Sequence, residues 1–171
     1  MKHTVITVAL VALASGCAST PQLDAVGTAT LEPRSGSQVR GTVTFTQAGA
    51  DIVRVSGELS GHSQGPKGFH IHDKGDCSDA QAMNAGSHFN PGKHKHGGPY
   101  EPVRHAGDLG NITFNDKGIA KFSFVVGGIS VNDSTPDGVI GRAVVVHAAA
   151  DDLETDPTGN SGGRVACGVI R

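Results

Sequence analysis

Residues 68–108 read GFHIHDKGDCSDAQAMNAGSHFNPGKHKHGGPYEPVRHAGD and hold six of the nine histidines in a chain of 171 residues. These are His70, His72, His88, His94, His96 and His105, with Asp108 three places after the last. A histidine in a soluble loop is ordinarily a solvated side chain, and an isolated Asp more often caps a turn than binds anything. Several imidazoles at fixed offsets from a carboxylate are instead the donor set of a first-row transition metal. Across residues 73–107 no hydrophobic period is visible, and Gly, Pro, Asn and Lys punctuate the run. An irregular segment of more than thirty residues is uncommon in a compact domain unless something other than packing orders it. A metal and a disulfide are the two candidates.

On either side of this stretch the pattern is that of strands. His70 and His72 fall on one face of a short strand, GFHIHD, and Ile71 on the other, so the isoleucine can enter a core while the two imidazoles converge. Upstream, residues 61–68 read as a loop. Before it, Val39, Gly41, Val43 and Phe45 alternate with Arg40, Thr42, Thr44 and Thr46. After a turn at Gly49, Val53, Val55, Gly57 and Leu59 alternate with Ile52, Arg54, Ser56 and Glu58, which predicts an antiparallel hairpin. Downstream, Ala120, Phe122 and Phe124 mark another strand, AVVVH at 143–147 a buried one that ends on His147, and residues 165–170 a last one. Residues 150–163 form a second polar loop. With 25 glycines and no tryptophan, the composition favours short strands and tight turns over helices. The expected fold is all-β: an antiparallel β-sandwich or closed barrel of about eight strands with two long loops.

The N-terminus reads as an export signal. Lys2 precedes an apolar run, VITVALVALA at 5–14, and then small residues up to Cys17, too short to span a membrane. The ending ASGC resembles a bacterial lipobox, in which the Cys is lipidated; the leucine usual three places before it is Ala14 here, so plain cleavage fits as well. If Cys17 carries lipid, an even number of cysteines, Cys77 and Cys167, is left in an oxidising compartment. The expected divisions are a signal at 1–16, a tether at 17–24 (small and polar, with a proline) and the folded domain at 25–171. A formal net charge of −2 with no basic stripe argues against a nucleic-acid partner.

His70, His72, His88, His96, His105, Asp108 and His147 are seven candidate ligands, one short of two four-donor sites. A shared imidazole, which has two nitrogens, would make up the difference. Read in order, GFHIH, GDC, GSHFNP, HGGP, RHAGDLGN, VVVHAAADD and TGNSGGRVACGVI resemble copper–zinc superoxide dismutase in its exported bacterial form, over essentially the whole chain after the leader. The resemblance implies a Greek-key β-sandwich or flattened barrel whose two long loops are functional, copper held by His70, His72, His88 and His147, and zinc held by His88, His96, His105 and Asp108, with His88 shared. It implies that Asp151 links His70 to His96, that Cys77 and Cys167 form a disulfide, and that Arg164 stands at the copper mouth and guides the anion. The implied reaction converts two superoxide anions and two protons to oxygen and hydrogen peroxide, with His88 as ligand and proton carrier. Superoxide is the implied partner, in the periplasm, with a membrane tether through Cys17 if that residue is lipidated. Monomer and homodimer are both open. His62 and His94 match no ligand position and read as solvated; His94, two places before His96, is an alternative zinc ligand. Asp152 reads as a surface charge. A periplasmic metal buffer or copper-delivery domain of the same fold can lack part of the copper set, and a copper-only relative would lack the zinc ligands His96, His105 and Asp108.

Overall fold

The structure, a computed structural model, describes residues 25–132 and 134–171. The expected signal, tether and Cys17 lie outside the described residues. Eight strands form in the order β1 (Val26–Pro33), β2 (Arg40–Gln47), β3 (Ile52–Ser60), β4 (Gly65–His72), β5 (Asp108–Phe114), β6 (Ile119–Gly127), β7 (Ala143–His147) and β8 (Arg164–Val169). A single turn of 3-10 helix, Met83–Ala85, interrupts the long loop between β4 and β5.

All the ladders between these strands are antiparallel, and the spatial order is β5-β4-β7-β8-β1-β2-β3-β6. The chain makes a meander β1-β2-β3, crosses to the hairpin β4-β5, and returns to lay β6 beside β3. It then crosses again to put β7 against β4. These passages between the two halves are the Greek-key connections of the expected fold. β1 joins the two halves by pairing with β2 along most of its length and with β8 at Glu32 and Pro33. β5 and β6, the ends of the order, pack together and nearly close the barrel.

Alternation fixes which side of each strand faces inward. Ala29 and Leu31 of β1, Val43 and Phe45 of β2, and Val53, Val55 and Leu59 of β3 are fully buried, while their neighbours along each strand face outward. Phe69, Ile71, Ile112, Phe114, Val144 and Val146 complete the core from the other sheet. β7 is buried on both faces, because the loop after β4 covers its outer side. There Ala82, Ala85, Cys77 and Cys167 pack on Ala143 and Val145 as a small second core. This explains why β7 reads as an unbroken apolar run.

Two strands, β1 and β5, were not located from the sequence, and β4 begins at Gly65, inside the run read as a loop. His62 is also less exposed than expected: its ring packs on Phe114 with centroids 5.2 Å apart. The disulfide implied by the resemblance is present, joining Cys77 in the long loop to Cys167 in β8 across 90 residues. Closing a loop of that length restricts the unfolded chain, so the Cys77→Ser/Cys167→Ser double variant is expected to lose on the order of 4–5 kcal/mol in the chain-entropy picture. Denaturant midpoints of the two proteins under non-reducing conditions measure it.

Candidate metal centre

The pairing of β4 with its neighbours brings the first donors together. His70 and His72 lie on β4, opposite Val145 and Ala143 of β7, and His147 ends β7. Asp108, the first residue of β5, is the register partner of His70. His88 enters from the long loop through an isolated antiparallel bridge to His72. His96 and His105 come from the same loop and are folded against Asp108. All seven side chains are buried.

They fall into two groups of four. His70, His72, His88 and His147 each offer a nitrogen, all within 4.8 Å of one another; His88, His96, His105 and Asp108 do the same with three nitrogens and an oxygen. His88 is the member common to both. Its ring stands between the groups, with centroids 4.1 Å from His70 and 5.5 Å from His105.

The hydrogen bonds show which atoms are left free. His72 Nδ1 lies 3.0 Å from the Gly86 carbonyl, and His147 Nδ1 is 3.1 Å from that of Gly162, so in each ring Nε2 is turned inward. His70 Nε2 sits 2.8 Å from Asp151 Oδ2 and His96 Nε2 sits 2.9 Å from Asp151 Oδ1, leaving Nδ1 inward in both. One carboxylate therefore orients a ring of each group. Of the inward atoms, His96 Nδ1 meets only Asp108 Oδ1 of its own group, at 3.1 Å, and His70 Nδ1 and His88 Nε2 are buried without a hydrogen-bond partner. A buried polar atom left in that state costs about 1–3 kcal/mol. Lone pairs aimed at a common point are what a cation needs, so these residues fit metal ions at both groups.

Charge agrees with that fit. Burial, reinforced by neighbouring rings, holds His72 and His147 well below the usual histidine range, and burial takes His88 down to about 4. These rings are neutral donors at physiological pH. Burial would also depress His96, but the carboxylates of Asp108 and Asp151 outweigh it and raise that ring to about 10. Here a proton supplies the positive charge that two carboxylates demand, and a cation would take its place. Burial opposes ionisation of Asp108 and Asp151, yet hydrogen bonds from the surrounding histidines hold both below the usual carboxylate range.

Around the two groups the structure adds residues that sequence reasoning missed. Asn111 on β5 clamps the backbone of Asp151: its Nδ2 donates to Asp151 O and its Oδ1 accepts from Asp151 N, both at 2.8 Å. Gly159, at φ +61°, covers the Asp151–His96 bond, and a Cβ there would lie 1.8 Å from Asp151 Oδ1. Asp156 accepts from the backbone N–H of His96 at 2.8 Å. Asp152, read as a surface charge, is exposed but organises the loop: it accepts from the N–H groups of Glu154 and Thr155, the Thr155 hydroxyl and the Asn160 amide. His94 is exposed and belongs to neither group. Arg164 opens β8 opposite His147. It lines a cavity of about 410 Å³ with His147, Gly162, Gly163, Thr158, and residues of the facing loop.

Two comparisons bear on this arrangement. The sequence model of the family described as copper/zinc superoxide dismutase matches residues 39–170. Among solved structures, a crystal structure of the clock protein EA4 is similar, with a TM-score of 0.77 and 42% identity over 89% of this chain and 97% of that one. The match spans β2 to β8 and includes every residue of both four-donor groups. With its eight antiparallel strands and two histidine groups suited to copper and zinc, the chain belongs to the copper/zinc superoxide dismutase family of oxidoreductases.

Proposed function

We propose that this chain disproportionates superoxide, converting two superoxide anions and two protons to oxygen and hydrogen peroxide. The observation that carries the reading is the single imidazole, His88, common to two complete groups of four donors. On this reading His70, His72, His88 and His147 hold copper, and His88, His96, His105 and Asp108 hold zinc. Bound copper supplies an electron acceptor and donor that can alternate between two oxidation states, whereas zinc has no accessible redox change and serves structure.

The chain's own residues have separable tasks. Asp151 fixes the ring orientation of His70 and His96 together, so that the two groups keep their relative placement. The carbonyls of Gly86 and Gly162 choose the tautomer of His72 and His147, keeping Nε2 free of a proton. His88 Nε2 is buried with no protein acceptor and is the atom where a proton can be held and passed to the reduced oxygen. Arg164 draws in the substrate. The net charge of −2 repels an anion mildly, so attraction is local, through a cation beside His147 in a partly water-excluded cavity. The leader, and a disulfide that persists in oxidising compartments, support an exported enzyme that protects the cell envelope, held to a membrane if Cys17 is lipidated.

Three outcomes follow. Purified protein loaded with copper and zinc consumes superoxide, and His147→Ala with the same zinc content does not; full loading without consumption overturns the reading. Arg164→Glu lowers the rate at low salt by about tenfold or more, and the gap narrows as ionic strength rises; superimposable salt curves would remove Arg164 from substrate capture. Asp151→Asn weakens metal retention about 10–100-fold, measured by competition with a chromogenic chelator.

A further inference from the structure

The turn after β1, residues 34–37, reads RSGS and lies ahead of the residues matched by the family. Apart from Ser35, which lines the cavity beside Arg164, the site described above makes no use of it, yet its polar groups converge on the disulfide loop and on Arg164. Arg34 donates from Nε at 2.8 Å and from Nη2 to the carbonyl of Cys77. Its backbone N–H donates to Val165 O at 2.8 Å. Ser35 donates its N–H to Ala80 O at 2.7 Å and its hydroxyl to Arg164 O at 2.8 Å. From the other side of the same loop, Arg164 donates Nη1 to Ala82 O and Nη2 to Gly86 O, each at 2.6 Å. The segment 77–86 is therefore gripped between two arginines. Two of its carbonyls are taken by the turn and two by Arg164.

We propose that Arg34 and Ser35 are positioning residues for Arg164. They hold the loop whose carbonyls aim the Arg164 guanidinium, and they hold the backbone from which Arg164 springs. The inference rests on the reading of Arg164 as the group that draws superoxide in. A guanidinium on a long side chain acts at one place only if its rotamers are restricted, and here the restraint is two carbonyls that are themselves restrained. Each arginine gives these donors to neutral carbonyls and makes no ion pair among the described residues, though Asp79 of the same loop is near enough to act on the Arg164 charge. Cys77 is held twice, through Sγ to Cys167 and through its carbonyl to Arg34. The disulfide is thus one of two fastenings, and the turn supplies the other. Ser35 also lines the cavity with Arg164, Met83 and His147.

The test compares Arg34→Ala, Arg34→Gln and Arg34→Lys with the parent as metal-loaded full-length proteins of equal copper and zinc content. Three quantities are read: amide hydrogen exchange over residues 77–88, the rate at which dithiothreitol reduces Cys77–Cys167, and the superoxide rate against ionic strength. In Arg34→Ala, exchange over 80–86 rises, reduction is faster by about tenfold, and the low-salt rate falls about three- to tenfold while converging with the parent at high salt. Arg34→Gln behaves as Arg34→Ala, and Arg34→Lys falls between it and the parent. The double variant Arg34→Ala/Arg164→Ala is no slower than Arg164→Ala alone, because the first residue acts through the second. Unchanged exchange and reduction in Arg34→Ala overturn the proposal, and so does an additive loss of rate in the double variant. A fully loaded parent that leaves superoxide untouched refutes the proposed reaction instead; exchange and reduction still decide whether the turn fastens the loop.

Discussion

Each of four imidazoles at this centre, those of His70, His72, His96 and His147, has one nitrogen tied to an oxygen of the scaffold, which leaves the other facing inward. Without those outer bonds the rings could rotate or exchange tautomers, and the inward nitrogens would not share a focus. The acceptors are of two kinds. Carbonyls of Gly86 and Gly162 serve the rings farthest from the second group, and the single carboxylate of Asp151 serves one ring from each. His88 differs because both its nitrogens point into the centre, one toward Asp108 at 2.8 Å and the other without a protein partner.

Such an arrangement stands against the ordinary logic of a core. Six buried histidines and two buried carboxylates concentrate polar atoms where apolar packing would otherwise stabilise the fold. The cost is contained by position. The apolar core lies between the sheets, while the donors lie at the outer face of β4 and β7, under loops rather than among Phe45, Phe69 and Phe114. β4 separates the two environments, since Ile71 belongs to the core and His70 and His72 to the site. Bound cations would satisfy atoms that the protein leaves without partners, which would couple metal binding to folding.

Much of this was legible in the sequence, for reasons that particular residues make plain. The β2–β3 hairpin could be read because one face is wet, so that Thr and Ser alternate cleanly with Val, Phe and Leu. β1 hid because its inward side is built from Gly27, Ala29 and Leu31, small residues that leave a faint alternation beside Val26 and the threonines. β5 hid because it starts on Asp108, a donor of the second group, and runs DLGN before Ile112 begins the apolar part; Asp, Gly and Asn ordinarily mark turns. The candidate donors themselves stood out by residue type and spacing. Their supports did not: a backbone carbonyl such as that of Gly86 has no letter of its own, and Gly159 is one glycine among 25. Asn111 and Arg34 act on backbone atoms far away in the chain, which local patterns do not record.

The loop of residues 150–163 is strongly acidic by composition, but three of its carboxylates are engaged, Asp152 within the loop and Asp151 and Asp156 on the histidines beneath it. Asp151 is enclosed by two imidazoles and the N–H of Leu153, Asp152 gathers four donors from within the loop, and Asp156 takes the His96 N–H. Their charge is met by oriented dipoles before any ligand comes near, so a simple tally of formal charges overstates the barrier to an incoming anion. A segment that cross-braces itself also has little disorder to surrender when an ion settles beneath it, which favours tight retention through preorganisation.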